Sequence, residues 1–403
     1  MSAWLLPESV ADVLPSEARR IEELRRSLLD RFRVYGYELV MPPMLEYTES
    51  LLGNADESLD LQTFKLLDQA SGRMLGLRAD TTPQVARIDA HILNRKGVTR
   101  LCYCGPVLHT QALGLHTTRE PMQCGAELYG CGGVEADLEI LSLAVDTLQV
   151  SGLQRYRLAL SHAGLLAAVL HGGALQEPQV RAIHQALAQK DRPRLEQLLA
   201  QTQGLEASDR SAVMTLLGLY GTLGGASCTL ARARAQLPAK PKVNAILDEL
   251  QTVVDRLQET ASTVPTLILD LADLASFDYH SGLIFSAYVE SCPNAILRGG
   301  RYDDVGAVYG RARPATGFSV DLRELVALQS AQPAPKRAIR APWVYDTALM
   351  AAIRDLRGQG EVVLQSLPNT DPEEEEFVCD RQLVLANAVW TVVPMGMNQE
   401  KSK

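Results

Sequence analysis

Strand-forming segments on either side of a long helix-forming block restrict the fold of this chain more than any other feature. Before the block, residues 103–107, 127–129 and 156–160 read as strands, the first two flanking a loop over 110–121. After it, 266–270 and 283–289 return to β-branched and aromatic residues. From Ala163 to about Thr260, alanine, leucine, glutamine and arginine dominate, as in Arg181-Ala182-Ile183-His184-Gln185-Ala186-Leu187. That pattern predicts an all-helical insertion over 163–262. Strands around a helical insert predict an α+β fold on an antiparallel sheet flanked by helices.

At the start of the chain Ile21, Leu24, Leu28 and Phe32 recur at helical spacing over 17–35, and Gly36 stands where a helix ends. Tyr37-Glu38-Leu39-Val40-Met41 reads as a short strand stopped by Pro42 and Pro43. Gln329-Ser330-Ala331-Gln332-Pro333-Ala334-Pro335 is a linker by composition, placed at 329–342. This leaves 1–328 as the main domain. The remainder, 343–403, is too short for a full α/β domain; a helix is predicted over 348–357 and short strands over 361–365 and 382–386. The four acids Glu373 to Glu376 read as a solvated loop.

Composition removes several function classes. No apolar run reaches the roughly 18 residues of a membrane helix, and the start has no cationic segment before an apolar one, so secretion is not expected. Seven cysteines, an odd number, suit a reduced cytoplasm better than a disulfide framework. Cys102, Cys104, Cys124 and Cys131 lack the Cys-x2-Cys turn of a zinc site, so neither metal nor cofactor is expected. A net charge of −9 without a lysine-rich block offers no long-range attraction to nucleic acid.

Four motifs carry the chemistry. The first is Leu77-Arg78-Ala79-Asp80-Thr81-Thr82. The second is Cys104-Gly105-Pro106-Val107-Leu108-His109-Thr110-Gln111 followed by Arg119-Glu120-Pro121-Met122-Gln123-Cys124-Gly125-Ala126-Glu127. The third runs from Ala272 to Gly282. The fourth is Leu297-Arg298-Gly299-Gly300-Arg301-Tyr302-Asp303 followed by Gly317-Phe318-Ser319-Val320-Asp321-Leu322-Arg323-Glu324-Leu325. In this order, over residues 5–325, they resemble the motifs of class II aminoacyl-tRNA synthetases in their histidyl form. The helix–Gly–strand–Pro segment over 17–43 is similar to that family's first motif, which implies a homodimer interface there.

Activating an amino acid with ATP builds charge on the α-phosphate, so the chemistry rests on positioning and on cations. Arginine serves because its planar fork grips phosphate oxygens while always charged. The resemblance puts His109 where the family holds its phosphate arginine and Gln111 at the glutamate that follows. It puts Ala275 at an additional catalytic arginine and Glu324 at the arginine of the last motif. His109 has no fork and at best titrates near neutrality. Glu324 would set a negative charge against nucleotide phosphates, costing on the order of 4 kcal/mol at a few ångströms and an effective dielectric near 20. Arg119, Arg298 and Arg301 remain as candidates for residual anion binding.

The amino-acid side is retained. Asp80 and Thr82 match the acid and threonine that hold a substrate α-amino group. Gln123 and Glu127 match the family's glutamine and its imidazole-reading glutamate, a fitting choice because a carboxylate accepts a ring N–H and favours the charged ring. Tyr279 is kept, whereas His280 replaces a second tyrosine. Among paralogues of the family, this pattern is similar to that of the regulatory subunits of ATP phosphoribosyltransferase. Their features are lost ATP-binding arginines, a preserved histidine pocket and no anticodon domain. The resemblance implies no catalytic residues and a short, separately encoded catalytic chain as partner in a hetero-octamer. L-histidine is then the effector, in the first step of histidine synthesis. The competing reading is a divergent histidyl-tRNA synthetase or amino-acid ligase using ATP.

Overall fold

The computed structural model describes residues 5–53, 57–112, 114, 117–170, 175–223, 228–260, 265–273, 280–329, 336–369 and 376–395. The chain divides into two compact units, Met1–Val13 with Arg19–Gln329, and Leu14–Ala18 with Ser330–Lys403.

The helix Pro15–Val34 buries Ile21, Leu24, Leu28 and Phe32, the apolar stripe of its sequence. Gly36 then takes a positive φ of 85°, which a residue with a Cβ resists, and turns the chain into strand β1, Glu38–Leu39. A small sheet follows, made of β2 (Leu45–Tyr47), β3 (Lys65–Leu67) and β4 (Met74–Leu77) in the order β2-β4-β3. Next come β5 (Thr99–Pro106), β6 (Met122–Tyr129), the helix Val134–Val150 and β7 (Arg157–His162).

Among the described residues of 163–260 the regular elements are helices, from Gly164–Val169 to the long Pro241–Thr260, with one exception. Tyr220–Thr222 forms a strand, β8, so the insertion is not all-helical: β8 pairs antiparallel with β9 (Thr266–Asp270) at the edge of the main sheet. The sheet is completed by β10 (Leu283–Tyr288), β11 (Leu297–Arg301) and β12 (Ala315–Asp321), which leads into the helix Leu322–Leu328. Its order is β1-β5-β6-β12-β11-β10-β7-β9-β8. From β5 to β7 all neighbours are antiparallel; β1–β5 and β7–β9 are parallel, so the expected antiparallel sheet has a mixed periphery.

Alternation along β5 and β6 splits the interior in two. Cys102, Cys124, Ala126 and Leu128 join the large core with the helices Pro15–Val34 and Val134–Val150. Leu101, Tyr103 and Tyr129 point the other way and, with Val85, Ala86, Tyr302 and Ala315, form a small core on the opposite face.

The second unit corrects the expected linker and remnant. Residues Lys336–Ala341, assigned to the linker, form a strand, β13. It is an inner member of a sheet β14-β13-β15-β16, with β14 Val363–Gln365, β15 Phe377–Ala386 and β16 Val389–Pro394. The helix Thr347–Gly358 places Leu349 and Ile353 on Ile339, Ala341, Val363 and Leu383. Asp346 caps this helix by accepting from Ala348 and Leu349 N–H and also accepts from the Trp390 indole at 2.9 Å. This is a small α/β unit with its own core. Glu376 precedes β15; residues 373–375 lie outside the described residues.

Candidate functional site

The loop after β4 is fixed from below. The Arg78 guanidinium, buried under it, donates to Pro106 O at 2.8 Å and Pro42 O at 2.9 Å, and burial pulls its pKa down. Above it, Asp80 Oδ1 accepts from Thr82 N–H at 3.2 Å and from the Gln123 amide at 2.7 Å. The other end of the Gln123 amide accepts from Thr81 N–H at 2.9 Å, so one β6 side chain docks the whole turn.

Glu127 sits four residues on from Gln123, on the same face of β6, and is 1% exposed. Its Oε1 accepts from Thr82 Oγ1 at 3.0 Å and Tyr103 Oη at 3.3 Å. Its Oε2 is buried without a hydrogen-bond partner. Gly317 on β12, the register partner of Glu127, makes the room: a Cβ there would lie 2.1 Å from Tyr302 Oη and 2.3 Å from Glu127 Oε2. Gly125, opposite Tyr103, does the same for the Tyr103 hydroxyl, 2.5 Å from the Cβ position. His280 stacks edge-on against Tyr302, ring centroids 5.9 Å apart. Desolvation, followed by the charge of Asp80, pushes the Glu127 carboxyl well above its ordinary range. The site therefore offers an acid on a carboxyl whose second oxygen is open, beside a second carboxyl at Asp80. Its chemistry suits a ligand with an amino group and a basic ring nitrogen.

Asp80, Thr82, Gln123 and Glu127 thus come together. Tyr103 and Tyr302, which the sequence did not assign, join them; Tyr103 lies opposite Gly125, whereas Tyr302 approaches Glu127 beside Gly317 through the strand register. Tyr279 and Ala275 lie outside the described residues, as does His116.

The positions read as lost cations are built into the scaffold. His109 is buried, its Nε2 2.9 Å from Ala79 O, and burial lowers its pKa, so the ring is neutral. Gln111 is exposed on the loop. Glu324 accepts the Cys292 thiol at 3.1 Å. Its neighbour Arg323 turns away, donating to Glu120 O at 2.8 Å and Ala11 O at 3.1 Å.

The candidate anion-binding arginines are likewise engaged, with one exception. Arg119 donates to His109 O at 3.1 Å and Glu8 O at 3.4 Å, and lies over the Phe64 ring. Arg301 is buried, paired with Asp137 at 3.0 Å and donating to Cys131 O, Gly133 O and Asp303. It lies on the face away from Glu127, held by these partners. Arg298 is exposed. Among the described residues no group of three or more His, Cys, Asp or Glu is arranged to hold a metal ion, and no helix is long and apolar enough to cross a membrane.

Residues 9–325 match the family model described as histidyl-tRNA synthetase. Residues 336–393 match a second, the ATP phosphoribosyltransferase subunit HisZ C-terminal domain. A curated ATP phosphoribosyltransferase regulatory subunit from Burkholderia cenocepacia is 56% identical over 98% of this chain and 100% of its own length. This chain belongs to the ATP phosphoribosyltransferase regulatory subunits. The counterpart from Burkholderia thailandensis is 55% identical over the same shares. A crystal structure of an ATP phosphoribosyltransferase regulatory subunit/histidyl-tRNA synthetase from Bacillus halodurans superposes with a TM-score of 0.79 at 27% identity, covering 93% of this chain and 95% of that one. Histidyl-tRNA synthetase from Nostoc gives a TM-score of 0.77 at 15% identity over 98% and 97%, a likeness of fold. A regulatory subunit is thus a synthetase fold joined to a C-terminal unit with its own family model.

Proposed function

We propose that this chain partners a short ATP phosphoribosyltransferase catalytic chain in the cytoplasm, as a hetero-octamer, activates it, and relays inhibition by L-histidine. The observation that carries the histidine reading is the pairing of a buried acid, Glu127, whose Oε2 lacks a hydrogen-bond partner, with a loop acid, Asp80, in one hydrogen-bonded cluster. A histidine would place its α-ammonium at Asp80 and Thr82 and its ring at Glu127 and Tyr302. No free guanidinium stands at the positions that ATP chemistry needs: Arg119 and Arg323 are spent on backbone carbonyls. Coupling needs only that histidine bind one assembly state better, by about 1–3 kcal/mol.

The deciding experiment is co-purification with a short catalytic chain, assayed with and without this protein and with added histidine. Activation, and inhibition that Glu127→Gln relieves, support the reading. Robust histidine-dependent ATP–pyrophosphate exchange by this chain alone would instead establish an ATP-using synthetase or ligase.

A further inference from the structure

A polar cavity, about 270 Å³, opens on the other face of the sheet from Glu127. Strand alternation fixes this: Arg301 pairs with Thr316, while Glu127 pairs with Gly317. The cavity lies between the start of the helix Val134–Val150, the end of β7 and the helix Pro241–Thr260, lined by Asp137, His162, Glu249 and Arg301.

Its charges favour a cation. Arg301 is its one guanidinium, and Asp137, Asp303 and two backbone carbonyls already take the donors. Asp137 is 1% exposed; Oδ2 meets Arg301, no hydrogen bond of good geometry reaches Oδ1, and the Thr316 hydroxyl close to the carboxyl is shared with Gly300 O, 3.2 Å away. Glu249 faces the same space with its carboxylate partly exposed, 3.7 Å from His162 Nε2. His162 Nδ1 accepts from Gly164 N–H at 3.1 Å, which turns Nε2 toward Glu249. Two carboxyl groups and an imidazole therefore face one guanidinium whose donors are already taken. A buried carboxylate oxygen without a donor is costly to fold and is stabilised by a ligand that supplies one.

The cavity continues into an apolar groove. Ala245 and Ile246 line both it and an adjoining space of about 390 Å³, walled by Gly164, Ala167, Ala168 and Lys242. We propose that this site binds a small organic primary ammonium, its head between Asp137 and Glu249 and its carbon chain along the groove between the helices Gly164–Val169 and Pro241–Thr260.

The test is calorimetric titration of the full chain with n-butylammonium chloride and with n-butanol at constant ionic strength. Saturable one-to-one binding of the ammonium, and none of the alcohol, is expected. Glu249→Gln should weaken it at least about tenfold, the range of a hydrogen bond to a charged group. Ala245→Phe, which blocks the mouth from an exposed position without altering charge, should abolish it, and Asp80→Asn should leave it unchanged. Absence of saturable binding, equal binding of the alcohol, or unaltered binding in both cavity variants overturns the proposal. Loss in Asp80→Asn alone would do the same by assigning the amine to the Glu127 pocket.

Discussion

The protonation of Glu127 sets the sign of the pH dependence of histidine binding. Free imidazole titrates near pH 6.5. Burial and the charge of Asp80 push the Glu127 carboxyl well above its ordinary range, and a push past neutrality would leave the unliganded site carrying a proton. Neutral histidine then binds with no net proton exchange, because acid and ring share the proton already present. Below about pH 6.5 the ligand arrives charged, and one of the two protons must leave. From pH 7.5 to 5.5 the charged fraction of free histidine rises from about one-tenth to nine-tenths, so affinity should fall about tenfold, ~1.4 kcal/mol. An ordinary ionised carboxylate requires the opposite, tighter binding in acid, since it would hold the imidazolium. Calorimetric titrations across this range, in buffers of different ionisation enthalpy, read both affinity and proton count. Release of about 0.9 proton per histidine at pH 5.5, and almost none at pH 7.5, is expected. Affinity that rises on acidification, with proton uptake at pH 7.5, refutes a protonated Glu127.

Three further outcomes follow from the geometry. Arg301→Met leaves Asp137 buried without its cation and should lower stability by about 3–5 kcal/mol in denaturant unfolding, with partial recovery in the double variant with Asp137→Asn. The double variant His109→Arg, Glu324→Arg should give no ATP–pyrophosphate exchange, because Arg119 and Arg323 stay bound to backbone carbonyls; measurable exchange would show those sites still accept nucleotide. Tyr302→Phe removes the hydroxyl facing Glu127 Oε2 and should weaken histidine binding about fivefold, ~1 kcal/mol, by titration.

Long periodic elements were legible in the sequence. The stripe Ile21, Leu24, Leu28 and Phe32 is the buried face of the first helix, and the helix expected over 348–357 is Thr347–Gly358. Eight strands escaped, β8 and β13 among them. In β13 the sequence Lys-Arg-Ala-Ile-Arg-Ala carries three cations, and only Ala338, Ile339 and Ala341 are buried, so its polarity reads as linker. In β8 three residues are too few to show a period. The Asp80, Thr82, Gln123 and Glu127 cluster could be named from motifs because each sits in its own conserved-type string. Tyr302 could not, because its approach to Glu127 depends on the register that brings Gly317 opposite. Guanidinium groups read from sequence as free cations; only folding shows which meet carbonyls, and that is why Arg119 and Arg301 changed role.

The placement of β9 beside β7 has a consequence for how this chain tolerates change. The two strands run parallel, so the chain leaving the end of β7 must travel back along the sheet before starting β9. The helix Pro241–Thr260 packs on β7 and, at about 30 Å for twenty residues, is long enough to make that return alone. Geometrically the insertion is a β-α-β crossover with extra helices spliced in before its return helix. The segment over 175–215 serves no sheet connection, and closing a shorter or longer loop there changes the entropy only logarithmically. Length variation should therefore collect in that segment, while the return helix, which also walls the cavity at Glu249, keeps its length.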